Sequence, residues 1–313
     1  YADKLWALTT VSLAAQLGTT PISLYYFNQF PNMFFLTNLL VIPLAAVILY
    51  LAFLLFVFSF VPFVNEALGW LLSISAQLMI KAVEIVEAIP FSYSGGIYFS
   101  LIQTFCFYGL IILITTYALL KKRWMIFASL FIAIFFFVDI GLRRVNLENN
   151  HSFTVYAIRG TSLINFTDGR TAIFFADSLN FPLEKYDFQI SKHRLVSGIN
   201  DYKIHSYNDS LERINDNLKK IENFFVWNNT LIYRLGNGAM LPKNLPEPIK
   251  TDYILVSGNV YLPPEKIDSI FLFKKIILDS SVKTYLAEKW LKNPLYANRV
   301  HYVERDGAFV FVN

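Results

Sequence analysis

The chain has 313 residues, 55% of them hydrophobic and only 16% charged, with 30 phenylalanines and a formal net charge of +4. Such a composition excludes an ordinary soluble protein and points to a membrane class. The single cysteine, Cys106, excludes a disulfide framework and a cysteine-based metal site, and no cleavable signal peptide is visible.

Residues 12–44 form an almost wholly apolar run. It reads as membrane-embedded, since about 20 apolar residues span the hydrocarbon core. Gln16, Pro21, Asn38 and Pro43 lie inside it. Amides and prolines are costly against lipid and persist where they face other helices or a wet path. These four are therefore the candidate lining of a translocation path, with hydrogen bonding between helices as the alternative for Gln16 and Asn38. The first span is expected over residues 5–27, kinked at Pro21, with Gly18 permitting close helix approach. The second covers 34–60 and is interrupted by Pro43.

Residues 65–89 differ. Leu68, Leu71, Leu72, Leu78, Met79, Ala82 and Val86 form a stripe at helical spacing, with Glu66, Ser73, Gln77, Lys81 and Glu84 on the other side. This predicts an amphipathic helix in the interface or against the bundle, the alternative being a further span with buried charges. Residues 90–96 read as a loop, 97–120 as the third span and 124–142 as the fourth. The basic loop Lys121, Lys122 and Arg123 is expected in the cytoplasm, which sends the following segment to the outer side. Arg143 and Arg144 argue weakly the other way. Asp139 has Arg143 as its expected partner, one helical turn away.

From His151 the composition becomes that of a soluble domain, dividing the chain into a membrane region over 1–145 and a soluble α/β domain over 151–313. Hairpins are expected around Asp168-Gly169, Asn228-Asn229 and Asp306-Gly307. Residues 253–256 and 276–278 read as buried strands, with helices opening at Pro264 and running over 281–292. Residues 209–217 read as a short helix or, nearly as well, as a strand. Hairpins followed by β-α-β-α predict a two-layered or sandwiched α/β domain.

Three blocks in the apolar run keep a close order: AAQLGTTP at 14–21, YYFNQF at 25–30 and NLLVIP at 38–43. In these the chain resembles the competence domain of the ComEC family, inner-membrane channels that carry transforming DNA into bacteria. The resemblance covers the C-terminal part of the family's membrane region. It implies that earlier helices and an oligonucleotide-binding loop precede Tyr1 in a longer protein. The later elements are similar in order to the metallo-β-lactamase-like domain that follows the channel in many members. That likeness is one of pattern, not of catalytic motif. Where the family has Asp-Val-Gly-Gln-Gly-Asp, this chain has Ala157, Ile158, Arg159, Gly160, Thr161 and Ser162. The metal motif His-x-His-x-Asp-His is absent. The family's Gly-His-His-Gly segment falls on VSGNV at 256–260, without a histidine. Asp177 falls where a second strand ends, either as a relic of the metal-proximal aspartate or as a turn residue.

Hydrolysis by such a fold needs clustered imidazoles and carboxylates to hold metal and activate water. The four histidines, His151, His193, His205 and His301, stand apart from one another, and each reads as a surface or satisfied side chain. Gly236-Asn237-Gly238 is a turn signal, too short to cradle phosphates. Lys219-Lys220 and Lys274-Lys275 read as solvated pairs before DNA contacts. Tyr25, Tyr26 and Phe27 serve as interfacial anchors at least as well as base-stacking faces.

The expected fold is thus an α-helical polytopic membrane region followed by a soluble α/β domain, degenerate metallo-β-lactamase-like. The resemblance implies passage of single-stranded DNA through the bundle during natural transformation, in the bacterial cytoplasmic (inner) membrane. The basic loop at Lys121 to Arg123 places the soluble domain on the periplasmic or extracellular side, and the missing motifs leave that domain without catalytic residues, metal or cofactor. The implied partners are single-stranded DNA, the lipid bilayer, a DNA receptor and a cytoplasmic translocase of the uptake machinery. Two readings compete: a membrane-anchored metallonuclease degrading the non-transforming strand, and an unrelated membrane transporter. The absent ligands oppose the first; inverted repeats would favour the second.

Overall fold

Backbone groups in an apolar stretch have no water to bond, so the first part of the chain closes its hydrogen bonds within helices and short caps. The structure, a computed structural model, describes residues 2–177, 186–209, 213–236, 241, 247–260, 264–294, 296 and 298–312. The chain divides into two compact units, Tyr1–Ile140 and Gly141–Asn313.

The first unit contains α1 (Ala2–Phe27), β1 (Gln29–Pro31), α2 (Phe34–Val57), α3 (Pro62–Glu87), β2 (Tyr93–Gly95) and α4 (Leu101–Leu120). It ends within α5 (Trp124–Glu148). Among the described residues, α2, α3, α4 and α5 are long and apolar enough to cross a membrane. This set differs from the expected spans: it contains α3 and leaves out α1, whose apolar run is diluted by threonines and Gln16. Pro62 starts α3 at a position where its missing N–H costs nothing. Ser100 and Gln103 form a reciprocal capping box at the start of α4. Lys121, in a left-handed conformation, ends it. A Cβ on Gly109 would lie 3.3 Å from Ile132 Cδ1, so α4 and α5 approach closely there. Gly18 serves no such approach, since a Cβ there would meet nothing within 4 Å.

The second unit follows the strand periods of its sequence. Strands β3 (His151–Val155), β4 (Leu163–Asp168) and β5 (Thr171–Ala176) lead to α6 (Asp187–Val196) and β6 (Asp201–Ser206). Then come β7 (Leu218–Ile221), β8 (Phe224–Trp227), β9 (Thr230–Leu235), β10 (Ile249–Val256), α7 (Pro264–Asp268), β11 (Phe271–Leu278) and α8 (Thr284–Leu291). The last elements are β12 (Val300–Tyr302), α9 (Val303–Asp306) and β13 (Phe309–Val312). One sheet runs β13-β3-β4-β5-β6 and the other β12-β11-β10-β9-β8-β7. Strands β9 to β12 are parallel, joined by crossovers through α7 and α8.

Alternation along each strand then builds the layers. Phe153, Phe166 and Phe175 of one sheet meet Phe225, Trp227, Leu255 and Ile277 of the other. On the outer faces, Leu163 and Phe174 pack with Ile190 of α6, while Ile254 and Ile276 pack with Ile267, Leu286 and Trp290 of α7 and α8. The result is a helix–sheet–sheet–helix sandwich, the sandwiched one of the two expected layerings.

The expected hairpins divide by their turns. Asn228 and Asn229, at φ 43° and 64°, close β8 onto β9. The turn between β4 and β5 is Gly169-Arg170 rather than Asp168-Gly169, because Asp168 still pairs with Thr171. Gly169 takes the positive φ of 59° that the first position of this turn requires. The hairpin around Asp306-Gly307 does not form. β12 pairs in parallel with β11, and β13 pairs with β3 in the other sheet. Each segment has a buried partner strand available, which wins over pairing two short edges with each other. Arg213 makes an isolated bridge to Lys219, and residues 214–217 are bends, neither helix nor strand. Residues 210–212 of that segment, and Asn237 and Gly238 of the glycine turn signal, lie outside the described residues. Arg143 donates to the carbonyls of Leu195 and Val196, both at 2.9 Å, which end α6.

Candidate functional site

Parallel strands end together, and the loops leaving those ends are where α/β folds build their sites. Here the C-terminal ends of β9, β10 and β11 open on a cleft of about 370 Å³. It joins three segments singled out in the sequence: Gly160, Asp177, and the Ser257-Gly258-Asn259 stretch. Gly160, at φ 74°, donates its N–H to Ser280 O at 2.9 Å and so ties the segment before β4 to the end of β11.

The cation of the cleft is Arg234, from β9. Its guanidinium carbon lies 3.6 Å from the centre of the Tyr207 ring, and Nη2 is 3.2 Å from Asp177 Oδ1. The Arg234 side chain is 12% exposed and that of Asp177 61%, so the pair spans the cleft mouth from inside to outside. Gly236 makes room for it, because a Cβ there would lie 2.7 Å from Arg234 Nη1. Burial pushes the Tyr207 phenol up, and the neighbouring guanidinium pulls it partly back.

Beneath the mouth lies Asp279, which is completely buried. Ser281 donates both its N–H, at 2.9 Å, and its hydroxyl to Asp279 Oδ1, while Gly258 N–H donates to Ser281 Oγ at 2.7 Å. Ser162 Oγ bridges Tyr207 Oη at 3.1 Å and Ser257 Oγ at 3.2 Å. The Ser162 and Ser257 hydroxyls also stand close enough to Asp279 to act on its carboxyl. Burial raises the Asp279 carboxyl, and the three serine hydroxyls pull it part of the way down.

A dinuclear metal centre does not fit these residues. Among the described residues that line the cleft, Asp177 is the one carboxylate, and it is paired with a fixed cation. Among the described residues, no group of three or more His, Cys, Asp or Glu side chains could hold a metal ion. The histidines are dispersed. His193 lies between Tyr156 Oη at 2.9 Å and Ser197 Oγ at 3.3 Å, with burial holding its imidazole below the usual range. His151 is 2.9 Å from Asp168, at ion-pair distance though outside hydrogen-bond angle. His205 faces Asp209 at 3.7 Å, and His301 contacts Gly307 O at 2.9 Å.

The basic pairs are split by strand alternation. Lys220 is buried and donates to Asp209 O at 2.7 Å, whereas Lys219 is exposed. Lys274 bonds Asp252 at 2.7 Å, and Lys275 turns toward the Phe309 ring.

In the first unit Gln16 and Asn38 are half-buried, Pro21 is buried and Pro43 exposed. Among the described residues, neither the Gln16 nor the Asn38 side chain takes a hydrogen-bond partner. Tyr108 of α4 donates to Gly18 O at 2.8 Å, beside Pro21. Asp139 accepts from Gln103 Nε2 at 2.8 Å instead of pairing with Arg143. Gln103 is held in place by the capping box, and Arg143 is drawn to the end of α6.

Comparison with known proteins completes the description. The family described as ComEC C-terminal domain matches residues 153–313, and the Competence protein family matches residues 1–124. The chain belongs to the ComEC family. No curated protein and no solved structure matches it significantly. Membership of the ComEC family, with its competence region and long apolar helices, makes this a membrane protein of DNA uptake at the family level.

The sequence had marked Gly160, Asp177 and the VSGNV stretch, and the fold brings all three to one cleft. Arg234, Tyr207 and Asp279 were not marked, because no motif of the ComEC resemblance contains them, and Gly236 was read only as part of a turn signal. The one signal was chemical: an arginine in a strand of otherwise apolar residues, two positions before a glycine.

The buried acid yields a pH test. Its folded-state value lies above the unfolded one, so folding takes up a proton at Asp279. Its contribution is complete below the ordinary value of 3.8 and is lost as pH rises through the raised folded value. Asp279→Asn keeps an acceptor for Ser281 and cannot ionise. Its melting temperature should exceed that of the wild type by more at pH 8 than at pH 4, and a difference independent of pH would show that Asp279 does not titrate on unfolding.

Proposed function

We propose that this chain forms part of an inner-membrane channel that takes up single-stranded DNA in natural transformation, and that its soluble domain is not an enzyme. Support for the uptake role is the family match over both regions together with the run of long apolar helices. A polyanion crosses apolar helices only where water and polar groups replace hydrocarbon. Gln16 and Asn38 are the amides assigned to that path, with Pro21 and Pro43 breaking helix regularity beside it. The bilayer is the second partner, and a DNA receptor and a cytoplasmic translocase complete the machinery in this reading. The basic loop Lys121 to Arg123 faces the cytoplasm and the soluble domain faces outward.

One observation carries the non-enzymatic reading. The segments that would bear metal ligands in a metallo-β-lactamase-like domain converge on a cleft occupied by the Arg234 guanidinium. A fixed cation repels divalent ions, and without metal there is no activated hydroxide for phosphodiester hydrolysis.

Full-length protein in nanodiscs should contain no stoichiometric zinc and should leave labelled DNA intact; chelator-sensitive cleavage would overturn the non-enzymatic assignment. Cells carrying Gln16→Leu and Asn38→Leu together, at wild-type protein level, should lose DNA uptake at least about tenfold, about 1.4 kcal/mol in rate, whereas unchanged uptake would remove both from the path. A cysteine placed at exposed Lys289, in a Cys106→Ser background, should react with a membrane-impermeant maleimide in intact cells. Reaction only after lysis would put the domain in the cytoplasm.

A further inference from the structure

The Arg234 cleft is built for an anion, and its own carboxylate stands where that anion would go. We propose that it binds a phosphate group and that Asp177 is the built-in competitor for the site. This deepens the reading of the soluble domain as non-catalytic and rests on it only in requiring no cleavage.

The guanidinium is held in place by its surroundings: its carbon lies 3.6 Å from the centre of the Tyr207 ring, and the absent Cβ of Gly236 leaves it space there. Its Nε has no hydrogen-bond partner. An arginine so held loses little freedom on binding and offers a planar fork matched to oxyanions. Lys220, close enough for its charge to act on Arg234, adds positive potential from below. Asp279 lies completely buried beneath the mouth, where burial opposes its ionisation.

Against this stands a single contact, Arg234 Nη2 to Asp177 Oδ1 at 3.2 Å. Asp177 is largely exposed, so releasing it to water costs little, and a tetrahedral oxyanion can take its place. Asn208 lines the same cleft, and its amide is of a kind that can donate to an oxyanion. Phosphate has more acceptor oxygens than a carboxylate and so can use donors beyond the guanidinium. A volume of about 370 Å³, set against about 30 Å³ for a water, leaves room for the group esterified to the phosphate. The phosphate belongs either to nucleic acid or to free phosphate.

The test uses the full-length protein in phosphatidylcholine nanodiscs, titrated calorimetrically with inorganic phosphate and with 5′-phosphorylated and 5′-hydroxyl oligothymidylate. Asp177→Asn should tighten phosphate binding about tenfold, about 1.4 kcal/mol, because it removes a negative charge that repels the bound anion as well as the competing contact. Arg234→Gln should abolish it. Gly236→Ala should weaken it by displacing the guanidinium with its charge intact, and circular dichroism checks that each variant is folded. Binding of the 5′-phosphorylated oligonucleotide with the same dependence assigns the site to nucleic-acid phosphate ends. Binding of inorganic phosphate alone upholds the pocket and assigns it to free phosphate. If Asp177→Asn binds phosphate no better than wild type, or Arg234→Gln binds it equally well, the proposal is wrong. DNA uptake by cells carrying the same variants reads the channel separately, so loss of phosphate binding with normal uptake leaves the transport role standing.

Discussion

Phe166 lies between the two sheets of the second unit, stacked on Phe153 at 5.0 Å and on Phe225 at 5.6 Å, with the Trp227 ring at 5.9 Å. Phe175 meets Phe225 edge-on at 4.9 Å and continues the contact toward the cleft, where it stacks against Tyr207. Ring pairs of this kind add about 0.5–1.5 kcal/mol each beyond the area they bury. They also set the spacing between the sheets. Because side chains alternate along a strand, a one-residue slip of β4 would turn Phe166 outward and Asn165 inward. The cleft inherits its geometry from this core. Tyr207 is both the end of the aromatic stack and the platform beneath Arg234, so the position of the cation follows from the packing of the rings.

That dependence lets the residues at the strand ends vary while the cleft keeps its shape. The strand ends still converge because the sheets still face each other through apolar residues. What fills the convergence is free to change, provided that buried polar atoms are satisfied. Here Ser162 bonds Tyr207 and Ser257, Ser281 bonds Asp279, and Arg234 pairs with Asp177. An ionised Asp279 would demand a cation, which Arg234, turned toward Tyr207 and Asp177, does not supply. Burial instead favours its neutral form, and the serine hydrogen bonds oppose that preference only in part.

The sequence made the sandwich legible because alternating strands and the Asn228-Asn229 turn are local signals. The final pairing was not legible, since Val300–Tyr302 and Phe309–Val312 are both short and strand-like, and only tertiary contacts send them to different sheets. Asp139 was misassigned for a similar reason: Arg143 is its neighbour in sequence, but Gln103 is already fixed beside it by a helix cap. In the cleft, the marked residues were those with a counterpart in the family's metal motifs. Arg234 was invisible because a lone arginine in a strand has no spacing to betray its role. Its meaning lies in Tyr207, some 27 positions earlier by residue number, and in the missing side chain of Gly236.

In the first unit the same accounting separates structural amides from the rest. Asn28 donates to the carbonyls of Leu24 and Ile97, and Asn32 donates to Phe91 O and exchanges bonds with Ser94. These bonds clamp the short ribbon of β1 and β2 and consume the asparagines of the YYFNQF segment and the residue two past it. Gln103 is consumed likewise, by Ser100 and Asp139. An amide already spent on a buried partner offers nothing to a passing polyanion, because freeing it would leave that partner unsatisfied at about 1–3 kcal/mol. Asp139 would itself repel DNA, and its bond to Gln103 holds the carboxylate between α4 and α5. Gln16 and Asn38 differ from all of these, being half-buried with no side-chain partner among the described residues. Satisfied amides hold the helices together; the unsatisfied ones are the groups with donors left to give.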